Sequence, residues 1–142
     1  MKTDEEIKSI VSASIRRHSR ELSTWVLTRL WDAGDPYIKE ELQRWTQLTA
    51  DEQPIVYSCC DPKNWTLVTT RRVWYCDEGH VGSIAVPDIA SSEYGNFKGT
   101  AEQMVERMVL TSHEGVVHRC PYETGKPAMA TVYAVRTLLQ LR

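Results

Sequence analysis

The chain holds no run of about eighteen apolar residues, so no helix long enough to cross a membrane is expected. It has no strong net charge. Seventeen basic and nineteen acidic side chains leave a formal −2, which lacks the clearly basic face of a nucleic-acid binder. It has no glycine-rich phosphate loop, since neither Gly79 nor Gly82 is followed by a Lys-Ser or Lys-Thr pair. It has no C-x-x-C spacing among its four cysteines, Cys59, Cys60, Cys76 and Cys120. It has no internal repeat, low-complexity stretch or flexible linker. The first residues, Lys2, Asp4, Glu5 and Glu6, have no apolar core, so a secretory signal is not expected. The cysteines are accordingly read as reduced cytosolic thiols that fill apolar space. Adjacent Cys59 and Cys60 point to opposite faces of a strand, a poor layout for a shared metal.

Against these absences stands a change of rhythm near Pro54. Before it, apolar residues recur every three to four positions. Thr3 with Glu6 reads as a capping box, and Ile7, Ile10, Val11, Ile15, Leu22, Trp25, Val26 and Leu30 continue at helical spacing. This predicts one long helix from Asp4 to about Trp31, ended by Gly34. Asp35 followed by Pro36 starts a second helix with Ile38, Leu42, Trp45 and Leu48 as its stripe. The short connection implies an antiparallel helical hairpin.

From Ile55 onward the apolar residues fall into short runs bounded by turn formers. The predicted strands are 55–60, 65–70 and 73–76 (one long bent strand or two), 80–86, 89–94, 103–112 and 116–120. Asp61-Pro62-Lys63-Asn64, Asp77-Glu78-Gly79 and His113-Glu114-Gly115 supply turns. Residues 121–127 read as a loop, and Pro127 opens a last helix through Leu139 towards the C-terminus. The expectation is an α+β fold in one domain, 1–142. In it the helical hairpin of 1–53 packs on an antiparallel meander sheet or partly open barrel of 54–142, capped by the C-terminal helix.

Residues 55–142 carry a pattern of their own. A strand reads Trp65-Thr66-Leu67-Val68-Thr69-Thr70-Arg71-Arg72-Val73. A later one ends in Ile84-Ala85-Val86-Pro87-Asp88-Ile89, another carries Leu110-Thr111 ahead of Gly115, and a helix closes the chain. This order resembles the bacterial pleckstrin-homology-like domains. The resemblance implies a small curved sheet plugged by its last helix, with Arg71 and Arg72 near the first strands as phosphate-holding residues in a lipid-binding module.

Residue chemistry adds several candidates. His80, Cys76, His118 and Cys120 are a conceivable metal set, although none of them shows a recognised ligand spacing, and no metal is expected. Cys120 with His118 and Glu114 is the nearest approach to a nucleophilic set. It lacks members from separate elements and a glycine-rich nucleophile turn, so no catalytic residue is assigned. Residues 50–100 carry four basic and seven acidic side chains, the acidic part of the chain. Aromatic residues there, with Trp31 and Trp74 expected among the exposed tryptophans, suit a protein-binding surface. Trp74, Tyr75, Asp77, Glu78, Asp88, Glu93, Tyr94 and Phe97 are therefore the expected partner-binding residues.

The expectation is a non-enzymatic cytoplasmic protein-binding domain needing no cofactor. Its suggested role is that of an immunity protein that neutralises a cognate bacterial toxin by covering the toxin's active site. The alternative is a lipid-surface or signalling-complex binding module using Arg71 and Arg72. A hydrolase or metalloenzyme built on His118 and Cys120 ranks below both. No nucleic-acid partner and no stable membrane insertion are expected.

Overall fold

The computed structural model describes residues 2–100 and 104–141. Helix α1, Asp4–His18, begins as its sequence demands. Thr3 Oγ1 accepts from Glu6 N at 3.1 Å, and the Glu6 carboxylate accepts from Thr3 N at 3.4 Å. Such a cap contributes about 1 kcal/mol. The helix does not run on to Trp31. Ser19 is extended, Glu21 is left-handed (φ 57°), and Thr28–Leu30 forms a short strand, β1. The second helix, α2, spans Pro36–Trp45, where Asp35 accepts from Tyr37 N at 2.8 Å and Ile38 N at 3.4 Å. The two helices are separated by a strand and do not pair as a hairpin.

Seven more strands follow: β2 Pro54–Asp61, β3 Asn64–Thr69, β4 Arg72–Asp77, β5 His80–Ala85, β6 Ile89–Glu93, β7 Val105–Ser112 and β8 Val117–Glu123. Helix α3, Ala128–Gln140, closes the chain. The class is α+β, with strands β1 to β5 in one antiparallel meander and β6 to β8 in a second, and no closed barrel. The strand expected to begin at Gln103 is described from Val105 onward, and Gln103 itself lies outside the described residues. The loop expected at 121–127 is shorter, because β8 continues through Pro121 to Glu123. Proline is tolerated there because β8 is an edge strand, bonded only to β7.

The five-stranded sheet is covered on both faces, which is why Ile55 to Cys59 is a continuous buried run rather than an alternating one. Val56, Val68, Val73 and Ile84 face the main core with Met108, Leu110, Cys120, Tyr122 and the apolar side of α3. Tyr57, Cys59, Trp65, Leu67 and Cys76 face the other way and meet Trp31, Ile38 and Leu42. Helix α1 lies against α3: Thr137 Oγ1 is 2.8 Å from Ser14 Oγ, and the His18 ring stacks on Tyr133 at 3.9 Å.

Strand β8 crosses the inner face of the large sheet. Along its length Tyr75 Oη of β4 meets His118 Nδ1 at 2.6 Å, and Thr66 Oγ1 of β3 donates to Pro121 O at 2.6 Å. Next, Glu123 N donates to Ser58 Oγ of β2 at 2.8 Å, and Thr28 Oγ1 of β1 donates to Glu123 Oε1 at 2.7 Å. These contacts from β1, β2, β3 and β4 stitch the two sheets together.

Candidate functional site

The β4–β5 hairpin sets the geometry of the most distinctive surface. Its two turn residues, Glu78 and Gly79, both have positive φ (48° and 87°), the twist that two-residue hairpins prefer. Strand β5 then runs along the rim of the large sheet. The turn between β7 and β8 stands beside its far end, where His113 N donates to Asp88 O at 3.1 Å. Between them lies an open groove of about 300 Å3, lined by Arg72, Ser83–Ala85, Asp88, Glu114, Val116 and His118 among others. Asp88, Glu114 and Val116 (52%) are exposed in its lining, Val117 (56%) is exposed at the start of β8, and Glu78 and Val81 (40%) are exposed at the other end of β5.

The residues expected to bind a partner are dispersed by the alternation of the strands. Trp74 faces the smaller core, half-buried, and its Nε1 donates to Glu52 Oε2 at 3.0 Å. Tyr75 faces the main core and reaches His118. Asp77 is held by Arg107 at 3.0 Å and Arg119 at 4.0 Å, with Glu78 3.7 Å from Arg107. Glu93 is exposed at the end of β6. Tyr94 gives its carbonyl to the Tyr122 hydroxyl and, like Phe97, packs against the main core. Trp31, expected at the surface, is buried (8% exposed), and Trp45 is the exposed tryptophan instead (50%).

Arg71 and Arg72 sit at the β3–β4 turn but differ in state. Arg71 forms two bonds to the Asp4 carboxylate, at 3.0 and 2.8 Å, with Asp51 at 3.8 Å. The hydrogen bond from Arg71 holds the Asp4 carboxyl below its ordinary range. Arg72 donates to Ser83 Oγ at 3.3 Å and lies 5.8 Å from the Trp74 ring centroid. It makes no ion pair among the described residues. Both arginines border an apolar cleft of about 430 Å3 lined by Ile7, Val86, Pro87, Leu138 and Leu141.

The conceivable metal set does not assemble. Cys76 and His118 lie on opposite faces of the large sheet, and His80 is exposed beside the β4–β5 turn. Among the described residues no group of three or more His, Cys, Asp or Glu is placed to hold an ion. The Cys120 thiol is fully buried and burial raises its pKa strongly, while Glu114 is exposed in its turn. Burial also pushes Cys59 up to about 11 and Cys60 up to about 12.

Two functional-looking carboxylates were not expected from the sequence. Glu52 is 5% exposed and accepts from Thr49 N, Thr69 Oγ1 and Trp74 Nε1. Its signal was present as Thr49-x-x-Glu52, the spacing of a capping box. Glu123 lies half-buried between the sheets, and burial raises its pKa. Both are satisfied by hydrogen bonds within the fold and serve architecture. Among the described residues no helix is long and apolar enough to cross a membrane. No family model, curated protein or solved structure matches the chain.

Proposed function

We propose that the chain is a non-enzymatic protein-binding domain, and that its role is that of a cytoplasmic immunity protein covering the active site of a cognate bacterial toxin. The observation that carries the reading is the rim around β5. Exposed carboxylates of Asp88 and Glu114 stand there beside exposed Val116, and Glu78 and Val81 are exposed at the other end of the strand. Apolar contact area framed by charged groups is the composition of a steered, specific interface. If the partner is a nuclease, such an acidic rim stands in for its phosphate-bearing substrate.

The pleckstrin-homology-like resemblance is retained within this proposal. Four antiparallel strands, β2 to β5, followed by three more and a closing helix follow the order it implies. Its lipid-binding corollary is weakened because Arg71 is already occupied by Asp4. The test is co-expression with the product of the neighbouring gene. A one-to-one complex that abolishes that product's toxicity is the expected result. A chain that stays alone and gives no protection overturns the reading.

A further inference from the structure

We propose that the outer edge of β5 receives an extended segment of a partner protein, which adds as a sixth strand to the large sheet and places a carboxylate against Arg72. This inference rests on the partner-binding reading above and names how the partner is held.

The argument starts from backbone bonding. In a two-residue hairpin the residues flanking the turn, here Asp77 and His80, exchange both backbone hydrogen bonds, and bonded pairs then alternate along the ladder. Tyr75 with Gly82 and Val73 with Ile84 are the next bonded pairs. Val86 N donating to Arg71 O at 2.9 Å continues the series. Val81, Ser83 and Ala85 therefore turn their N–H and C=O groups away from β4. No strand lies beyond them, and no described residue pairs with those groups.

The other sheet edges are blunted. β1 has three residues, β6 has an irregularity between Ile89 and Ser91, and β8 contains Pro121 and is bonded by side chains of the large sheet. From His80 to Ala85 there is no proline, no bulge and no Lys, Arg, Asp or Glu. Edges without these devices pair with other chains.

Charge selects the occupant. Arg72, at the start of β4, reaches Ser83 on β5, half-buried, with no carboxylate within 4.0 Å among the described residues. An acidic side chain on the incoming strand opposite Ser83 completes it. Asp88 and Glu114 line the outer end of the groove, where a basic residue of the same segment meets them. A second copy of this chain fits poorly, because antiparallel β5–β5 pairing centred on Ser83 brings two Arg72 guanidinium groups together.

The test begins with a displayed library of random decapeptides selected on the full chain. The expected winners alternate apolar and polar residues around one Asp or Glu. When a synthetic winner binds, amide exchange at Val81, Ser83 and Ala85 slows. Ser83→Pro removes an outward N–H while sparing the β4 bonds, and weakens binding by about tenfold or more. Arg72→Gln keeps the edge but loses the preference for the acidic peptide over its Asp→Asn counterpart, about tenfold in the native chain. The inference falls if no peptide is enriched, if exchange at those three amides is unchanged, or if Arg72→Gln keeps the preference. It also falls if the free chain is a dimer that Ser83→Pro separates. Neutralisation of a co-expressed toxin that survives Ser83→Pro would sink this inference and leave the proposed function standing. Peptides held on β5 by a chain that protects no cell would do the reverse.

Discussion

Tyr75 Oη lies 2.6 Å from His118 Nδ1, joining the large sheet to the small one at the point where β8 begins its crossing. A bare Nδ1 accepts from the phenol and an Nδ1–H donates to its oxygen, according to the tautomer. Burial favours the neutral ring, lowering the His118 pKa below its ordinary 6.5.

The pH dependence follows in sign. Between the lowered folded pKa and 6.5 the unfolded chain binds more protons at this site than the native one, so stability rises with pH across that window. As pH falls through it, this contribution is lost. Urea midpoints measured between about pH 5 and pH 7 should climb for the native chain and climb less for His118→Asn. Tyr75→Phe should cost about 1 kcal/mol near neutrality.

Gly82 makes room for that contact. A Cβ at Gly82 would stand 2.5 Å from Tyr75 Oη and 2.7 Å from its Cζ. Gly82→Ala should destabilise by about 1–3 kcal/mol through displacement of the ring. In a Tyr75→Ala background the same change should cost much less. Equal costs in both backgrounds would show that the ring is not what the methyl meets.

Glu123 behaves oppositely to His118. Burial raises its pKa above 4.5, despite the bond from Thr28. In the window above 4.5 the native chain holds the extra proton, so stability falls as pH rises through it. Glu123→Gln should flatten that slope while leaving the Thr28 bond in place. Denaturation curves at mildly acid pH would read the difference.

The four free cysteines give a simpler reading. With Cys59, Cys76 and Cys120 buried and all four thiol pKa values raised, thiolate is scarce at neutral pH. A thiol reagent should label the native chain slowly and all four sites at once in denaturant. A rapid single-site burst before unfolding would contradict the burial assigned to them.

Much of the architecture could be read from local signals, because its strands are joined by short turns. Glu78-Gly79 and Gly115 mark their hairpins, and Pro127 precedes the last helix at the expected place. What was hidden depends on partners distant in sequence. Leu22, Trp25, Val26 and Leu30 fit helical spacing, yet Val26 is 73% exposed and Thr28 is fully buried. The competing signal was the β-favouring run Thr24-Trp25-Val26-Leu27-Thr28, decided by pairing with Tyr57 and Ser58 about thirty residues away. The binding surface was obscured for a similar reason. Trp74 and Tyr75 are neighbours in the chain, but strand alternation sends them to opposite layers. Val81, Val116 and Val117, which are exposed, carry no distinctive local pattern.

The crossing of β8 over the large sheet has a consequence for synthesis. A nascent chain that stalls before residue 117 already has every strand of the first meander, yet Val56, Val68 and Val73 still lack Cys120, Tyr122 and the apolar side of α3 that share their core. Strand β8 and helix α3 supply that cover, so the apolar face stays open to chaperones and to neighbouring copies until both have left the ribosome.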